Sequence, residues 1–367
     1  MKADPESVDG KLLGARAYRG AGNIDKAKSL LDEAIVSVPD DASLRAERGL
    51  LARTTLDISG AIEHFKKATE LSPQDAQLLF NLGEAQQAGR HLDDAIATYK
   101  RALAITPDLT QARVNLGKAL AEKGLYGEAK EMLSAVNKET LADAEAHYNL
   151  GVILMREGNV TQAVTEFQRT LAINPRHAQA LNNLGVAADA RGETKKGLDW
   201  FKKSTLADPN FAEAWFNSGM SYMRLNQEGQ ATKMFERALK LEPGSDGPYV
   251  QLGGLYLKQG KKDRALEAFK KAISTVEEED AKASAFSQLR KLNDTRRHSD
   301  AYRGLALTYL SMGKVDEAVA TLKTAVEKMP KDPSAREALG DALEARADFD
   351  GAIEQFTQRL ALEPTTD

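Results

Sequence analysis

The chain has 367 residues, contains no cysteine and carries a formal net charge of −4 at pH 7, with 28% charged residues. The lack of cysteine excludes disulfides and catalytic thiols, and the slightly acidic balance argues against general binding to nucleic acid. No apolar run approaches the roughly 18 residues that a membrane-spanning helix needs, so we expect no membrane insertion.

The first ten residues, MKADPESVDG, lack the apolar core of a secretory signal peptide. We therefore expect a cytoplasmic protein. A periplasmic or membrane-anchored location is the alternative, because a signal or lipid-anchor segment that had been removed would leave no trace in this sequence.

Residues 144–177 contain two apolar stripes with helical spacing. The first stripe comprises Tyr148, Leu150, Gly151 and Leu154, and the second comprises Val160, Ala163, Val164, Phe167 and Leu171. Gly158 and Asn159 separate the stripes, as the C-terminus of a helix and a following turn would. Pro175 ends the second stripe, because proline cannot continue a helix interior. The segment is therefore predicted to form two antiparallel helices.

The same pattern recurs every 34 residues, so that most of the chain consists of ten repeats. Position eight of each repeat holds a small residue: Ala15, Gly49, Gly83, Gly117, Gly151, Gly185, Gly219, Gly253, Ala306 and Gly340. Position twenty holds Ala27, Ala61, Ala95, Ala129, Ala163, Gly197, Ala231, Ala265, Ala318 and Ala352. Position thirty-two holds Pro39, Pro73, Pro107, Pro175, Pro209, Pro243, Pro330 and Pro364. Small residues at fixed positions allow the backbones of paired helices to approach closely.

This period and these residues resemble the tetratricopeptide repeat (TPR) family, whose repeat has 34 residues. The resemblance implies an all-α fold, namely a right-handed TPR superhelix (an α-solenoid) of ten helix-turn-helix repeats with one helical insertion. Its register places repeats one to eight at residues 8–279, the helical insertion at 280–298, and repeats nine and ten at 299–366. Because no linker interrupts repeats one to eight, we expect a continuous array.

No segment matches a catalytic, nucleotide-binding or metal-binding signature. The nearest resemblance to a phosphate loop, Gly254–Lys262, has five residues between its glycines, where a phosphate loop has four, and ends without Ser or Thr. The five histidines are scattered and lack the paired spacing of metal ligands. We therefore predict that the protein is not an enzyme and has no catalytic residue, cofactor or metal.

The insertion at residues 280–298 differs from the repeats in charge, because it carries a net charge of +3. Its residues Ala285, Leu289 and Leu292 follow helical spacing, so that a largely helical segment is predicted, with a turn near Asn293–Asp294. We interpret the segment as a lengthened hairpin between repeats eight and nine. A contact surface for an acidic partner is the alternative.

In TPR proteins the first helix of each repeat lines a concave groove, and positions two, five, six, nine, twelve and thirteen point inward. Position six then carries a side-chain amide in six consecutive repeats: Asn81, Asn115, Asn149, Asn183, Asn217 and Gln251. Helix propensity does not explain this series, because asparagine is a mediocre helix former. An amide offers both a donor and an acceptor, and can pair with both groups of an extended peptide backbone. The alternative is that asparagine is simply common at this position.

Apolar and charged side chains accompany the amides in repeats five to seven. The predicted peptide-binding set adds Tyr148, Met155, Arg156, Phe216, Met220, Met223 and Arg224. An exposed apolar patch usually marks a binding site, and methionine suits adaptable contacts. Inward charges nearly cancel in repeats three to eight. Position six is never basic there, whereas chaperone-binding TPRs clamp an acidic tail with lysine at position two and arginine at position six.

The last repeat carries two further features. Its second helix has an apolar stripe of Ala352, Ile353, Phe356 and Leu360, and its first helix directs Glu337, Asp341 and Glu344 toward the groove. The stripe leads us to expect self-association through the C-terminal end.

The sequence as a whole predicts a non-enzymatic scaffold that binds a peptide or protein segment in its concave groove and assembles a complex, without a nucleic-acid partner. Two alternatives remain open. The chain could be a structural subunit of a self-assembling array that uses its ends, or a regulatory TPR module of a larger protein.

Overall fold

A computed structural model describes residues 7–136, 141–282 and 291–362, which form twenty α-helices and contain no β-strand. The first helices of the ten repeats are α1 (Val8–Gly20), α3 (Ala42–Thr54), α5 (Ala76–Ala88), α7 (Thr110–Glu122), α9 (Leu141–Arg156), α11 (Ala178–Ala190), α13 (Ala212–Arg224), α15 (Asp246–Lys258), α17 (Lys291–Ser311) and α19 (Pro333–Ala345). The second helices are α2 (Ile24–Ser37), α4 (Ile58–Leu71), α6 (Leu92–Ile105), α8 (Tyr126–Ser134), α10 (Val160–Ile173), α12 (Thr194–Ala207), α14 (Glu228–Leu241), α16 (Lys262–Lys282), α18 (Val315–Lys328) and α20 (Phe349–Leu360). The predicted all-α architecture of helix-turn-helix repeats is confirmed.

The chain divides into two compact bodies, Met1–Ala180 and Leu181–Asp367, which we call the N-terminal half and the C-terminal half. Repeats one to five belong to the N-terminal half, and the boundary falls within α11. In each half, most second helices pack against the first helix of their own repeat and against the first helix of the next repeat. The register read from the sequence therefore corresponds to real helix pairs.

A bulky side chain on the second helix packs onto the small residue at position eight of the first helix. An ideal Cβ at Gly151 would lie 2.5 Å from a ring carbon of Phe167, and one at Gly185 would lie 2.4 Å from a ring carbon of Phe201. Both rings are buried, with 0% and 1% exposure. Only glycine leaves room for the ring at these two positions, which explains why glycine recurs there.

Repeat six has glycine at position twenty, where the other nine repeats have alanine. An ideal Cβ at Gly197 would lie 2.7 Å from Asp189 Oδ1. The Asp189 carboxylate therefore occupies the space that the alanine methyl group takes elsewhere. The glycine at position twenty therefore makes room for Asp189, which takes part in the packing of repeat six as well as in its surface.

Each first helix is followed by a residue with positive φ at position fifteen. Six repeats use glycine there: Gly22, Gly124, Gly158, Gly192, Gly260 and Gly313. The other four use Leu56 (φ 60°), Arg90 (62°), Asn226 (57°) and Ala347 (62°). The left-handed conformation costs roughly 1–2 kcal/mol for a residue with a Cβ, and asparagine tolerates it best of the non-glycine residues. The turn geometry is thus common to all repeats, and several repeats form it at an energetic cost.

The insertion lengthens the two helices on either side of it. Both α16 and α17 have 21 residues, whereas α14 has 14 and α15 has 13. The predicted turn near Asn293–Asp294 is wrong, because α17 begins at Lys291 and runs through both residues. No glycine or proline interrupts this stretch, so helix propagation outweighs the weak local turn preference of the Asn-Asp pair. Residues 283–290, including Ala285 and Leu289, lie outside the described residues, and binding of an acidic partner by the insertion stays a prediction.

Candidate functional site

The predicted site residues stand at positions two, five, six, nine, twelve and thirteen of the first helices. Within each half, we call the surface that these positions form the first-helix face. In the N-terminal half, Asn81 and Asn115 are half-buried on this face. Asn81 Oδ1 accepts a hydrogen bond of 3.2 Å from Gln77 Nε2, and Asn115 Nδ2 donates one of 3.5 Å to Glu84 Oε1. Glu84 also forms a salt bridge with Arg53. Asn115 therefore belongs to a polar network that links adjacent repeats, whereas Asn81 is bonded within its own helix.

Asn149 differs from its neighbours because it is only 8% exposed. Its Nδ2 donates a 2.8 Å hydrogen bond to the backbone oxygen of Glu145, one turn earlier in α9. The carboxylate of Glu145 accepts a 3.2 Å hydrogen bond from His177 Nε2, while His177 Nδ1 accepts one from the backbone N–H of Ala180. The hydrogen bond from His177 keeps the pKa of Glu145 below its ordinary value. The Asn149 amide is therefore bonded within α9 and largely closed to solvent.

The remaining predicted site residues of repeat five lie along α9. Tyr148 is half-buried, and its ring centroid lies 4.8 Å from that of the buried His177. Met155 is half-buried, and Arg156 is exposed with a 3.4 Å hydrogen bond from Nη1 to the hydroxyl of Tyr126. Met155 and Arg156 therefore place an apolar side chain and a cation at adjacent positions of α9.

In the C-terminal half, the amides of repeats six and seven form a chain of hydrogen bonds. Asn217 Nδ2 donates to Asn182 Oδ1 at 3.0 Å, and Asn182 Nδ2 donates to Glu213 Oε1 at 3.0 Å. Asn182 is 1% exposed and stands at position five, and it was not among the predicted amides, which were those at position six. The amides of Asn183 and Gln251 are half-buried and have no hydrogen-bond partner within the described part of the chain.

Arg224 is fixed on the first-helix face by an aspartate of the preceding repeat. It forms a salt bridge with Asp189 Oδ2, which also accepts a 3.2 Å hydrogen bond from the hydroxyl of Ser221. The Arg224 side chain is 50% exposed, whereas that of Asp189 is 11% exposed. The buried carboxylate of Asp189 therefore orients a guanidinium that is half-exposed to solvent. The sequence did not predict this role of Asp189.

The apolar side chains of the predicted site in repeat seven pack partly against the protein core. Phe216, Met220 and Met223 lie at intervals of four and three residues on α13, and all three are half-buried. They pack against a buried cluster that includes Phe235 and Leu255, and the rings of Phe216 and Phe235 have centroids 5.7 Å apart. One side of this stripe serves packing, and the other side remains open to water.

The series of amides ends at repeat nine for a steric reason. Position six there is Gly304, and an ideal Cβ would lie 2.2 Å from a ring carbon of Phe269. The same ring lies 2.7 Å from an ideal Cβ at Gly253 in the preceding first helix. Phe269 is therefore held between two glycines, and an asparagine at residue 304 would not fit.

The first-helix face therefore combines amides, apolar surface and paired charges, with different amides open in different repeats. Asn183 and Gln251 keep both donor and acceptor, and Asn115 and Asn217, which donate, keep an acceptor oxygen. Within the described residues, no group of three or more His, Cys, Asp or Glu side chains could hold a metal ion. No described helix is long and apolar enough to cross a membrane.

Family models match nearly every part of the chain. Tetratricopeptide repeat models match residues 12–76, 47–110, 88–151, 144–177 and 303–364, and the middle TPR-like domain of cilia and flagella-associated protein 70 matches residues 181–329. None of these models describes a catalytic domain. No curated protein sequence matches the chain.

Solved structures share the fold at low sequence identity. A tetratricopeptide repeat protein from Parabacteroides merdae is 20% identical, with a TM-score of 0.53, and the match covers 71% of this chain and 98% of that chain. A monomeric mutant of IFIT1 with Gppp-AAAA is 14% identical, with a TM-score of 0.56 and coverage of 95% and 80%. The hetero-tetramer Cut9–Hcn1 is 14% identical, with a TM-score of 0.54 and coverage of 98% and 88%.

The fold and the family models define a helical-repeat protein of the kind that forms protein-interaction scaffolds. The chain belongs to the tetratricopeptide repeat family.

Proposed function

We propose that the first-helix face binds a segment of another protein in an extended conformation and thereby assembles a complex. The observation that carries this proposal is the pair of half-buried amides, Asn183 and Gln251, which have no hydrogen-bond partner within the described residues. A side chain in this state gains a hydrogen bond when a peptide backbone approaches, and each such bond contributes about 0.5–1.5 kcal/mol.

The spacing of the repeats supports an extended occupant. Packed helices lie about 8–10 Å apart, and an extended chain advances about 3.3 Å per residue. Each first helix can therefore contact about three residues of a bound segment. The paired charges of the face, such as Arg224 with Asp189, and the net charge of −4 favour a protein segment over nucleic acid.

The test uses a peptide selected against the wild-type protein from a displayed random library. Asn183→Ala, Asn217→Ala and Gln251→Ala together should weaken binding at least tenfold, because three hydrogen bonds at about 0.5–1.5 kcal/mol each exceed the roughly 1.4 kcal/mol that corresponds to a factor of ten. Asn210→Ala, in the exposed loop after α12, is the matched control. Unchanged affinity of the triple variant, with helicity retained, contradicts the proposal.

A second candidate function is self-association through α20. Phe349, Ile353 and Leu360 on this helix are 60%, 62% and 61% exposed, respectively. Phe349 and Ile353 are four residues apart and Leu360 follows seven residues later, so the three side chains lie on one stripe of the helix. The stripe supports a homotypic contact, whereas Phe356 packs inward against the cluster formed with Leu339 and Leu343.

A further inference from the structure

Gly254 on α15 is a helix-interior glycine that packing does not explain. It is exposed, and an ideal Cβ at this residue would meet no heavy atom within 4 Å. The neighbouring Gly253 is different, because its Cβ would lie 2.7 Å from a ring carbon of Phe269. Glycine destabilises a helix interior relative to alanine. The absence of a side chain at residue 254 therefore leaves an open notch on the first-helix face without a structural benefit to the fold.

Apolar side chains surround this notch. Val250 and Leu257 lie one turn before and after Gly254 on α15, and both pack on the same apolar cluster as Met220 of α13. Position nine of the next first helix, α17, is Leu307, which is 54% exposed. Helix α17 packs beside α15, so that the equivalent position of the neighbouring first helix carries an exposed leucine. One apolar side chain from another molecule could occupy the open space over Gly254 and also cover the exposed leucine.

The face becomes acidic beyond Leu307. Glu337, Asp341 and Glu344 lie at positions five, nine and twelve of α19, which packs beside α17. Burial and the two neighbouring glutamates raise the pKa of Asp341. Asp341 and Glu344 have no salt-bridge partner within the described residues, whereas Glu337 pairs with Arg359 at 3.5 Å. The positive charges of Arg303 and Arg359 act on Asp341 but offset the rise in its pKa only in part. This side of the notch therefore favours a cation.

We infer that repeats seven to ten select a protein segment with one bulky apolar side chain, seated over Gly254 against Leu307, and with a lysine or arginine that reaches Asp341 and Glu344. This inference rests on the proposed function and specifies the class of segment that the first-helix face takes. The acidic residues alone would attract any cation, whereas the notch fixes where the apolar residue of the segment must lie.

The geometry also fixes the separation of the two recognition residues. The distance from α15 to α19 is two helix spacings of about 8–10 Å each. An extended chain covers this distance in about five or six residues, at about 3.3 Å per residue. The apolar and basic residues of the segment are therefore separated by about five residues.

Nuclear magnetic resonance of ¹³C-methyl methionine tests this inference in the full chain. Met220 and Met223 report on the surface beside the notch, and Met132 and Met329 report on places away from it. The probes are synthetic peptides with phenylalanine or alanine at the apolar position and arginine or glutamate at the charged position, separated by a glycine-serine spacer. The protein variants are Gly254→Leu and, as a control, Gly229→Leu in α14, where an ideal Cβ also meets nothing within 4 Å.

The phenylalanine-arginine peptide should shift the signals of Met220 and Met223, leave those of Met132 and Met329 in place, and bind at least tenfold more tightly than the other three peptides. Gly254→Leu should weaken this peptide at least tenfold without lowering the melting temperature, and Gly229→Leu should bind as the wild type does. Asp341→Asn with Glu344→Gln should remove the preference for arginine over glutamate.

Equal binding by the wild type and Gly254→Leu overturns the inference, and so does the lack of any shift with all four peptides. Neither result decides the proposed function, because the library-selected peptide and the amide variants test that function separately. If the amide variants lose binding while Gly254→Leu does not, the proposed function stands and the notch is not the recognition point.

Discussion

The adjacent glycines Gly253 and Gly254 provide a matched pair of substitutions on one helix. Replacing either by alanine gains about 1 kcal/mol of helix propensity, so this gain cancels when the two variants are compared. The variants differ in what the new methyl group meets. At Gly254 it meets nothing within 4 Å, whereas at Gly253 it would lie 2.7–2.8 Å from three ring atoms of Phe269.

The Phe269 ring cannot move away freely, because an ideal Cβ at Gly304 would lie 2.2 Å from it on another side. Overpacking of this kind costs about 1–3 kcal/mol. We therefore expect Gly254→Ala to be more stable than the wild type by about 1 kcal/mol. Gly253→Ala should be less stable than Gly254→Ala by about 1–3 kcal/mol.

Urea denaturation followed by circular dichroism measures this difference. Repeat arrays can depart from two-state unfolding, so the midpoint and the slope of the transition should be compared among the wild type and the two variants. Equal midpoints for Gly253→Ala and Gly254→Ala would show that the ring does not pack on Gly253, and the interpretation of position eight would then be wrong.

Three further predictions concern other repeats and the C-terminal stripe. Ala347→Gly should raise stability by about 1 kcal/mol, because Ala347 adopts φ 62° and glycine avoids the cost of that conformation; a lower melting temperature would contradict this. Asp341→Asn should raise stability at neutral pH, because a raised folded-state pKa means that the ionised carboxyl costs stability. The gain should shrink as pH falls through the raised pKa toward the ordinary value of 3.8. A difference in urea midpoint between Asp341→Asn and the wild type that stays the same at every pH would contradict it. Sedimentation velocity over a concentration series should show self-association that Ile353→Glu abolishes and that exposed Thr357→Glu on the same helix weakens less; a monomer at every concentration removes the second candidate function.

The fold could be predicted in detail because its determinants are local and periodic. The contact of Phe167 with Gly151 joins residues sixteen positions apart within one repeat, and the same pair of positions recurs along the chain. A small residue that recurs at position eight of the repeat therefore indicates a close contact between the two helices of that repeat. The one wrong element, the turn near Asn293–Asp294, lies in the insertion, where no second copy of the pattern was present to correct a weak local signal.

The site could be predicted only in part, because its open groups depend on contacts between repeats. The sequence placed Asn149 and Asn183 at equivalent positions, yet Asn149 is 8% exposed and Asn183 is half-buried. Asn217 is equivalent to both, but it donates to Asn182, which is 35 residues away. A periodic pattern identifies the face on which a side chain lies. It does not show which neighbour has already taken its hydrogen bonds.

Gly254 is a second position whose surroundings the sequence pattern does not show. In the sequence, Gly253 and Gly254 are two successive glycines in a helix, and only Gly253 has a role in the repeat pattern. The structure separates them, because a ring lies against the first and nothing lies near the second. Gly254 is a candidate recognition feature because the space around it is open, and only the structure shows this.

Binding of a protein segment to the first-helix face is tested most directly by photo-crosslinking in lysate from the source organism. Benzoylphenylalanine replaces Val186, which is half-buried on α11, in one protein and Leu206, which is 76% exposed on the second helix α12, in another. We predict that the protein with the probe at residue 186 forms a defined crosslinked product and that the triple variant at Asn183, Asn217 and Gln251 loses it. A product from the probe at residue 206 alone, or equal products from both probes, would contradict binding at the first-helix face.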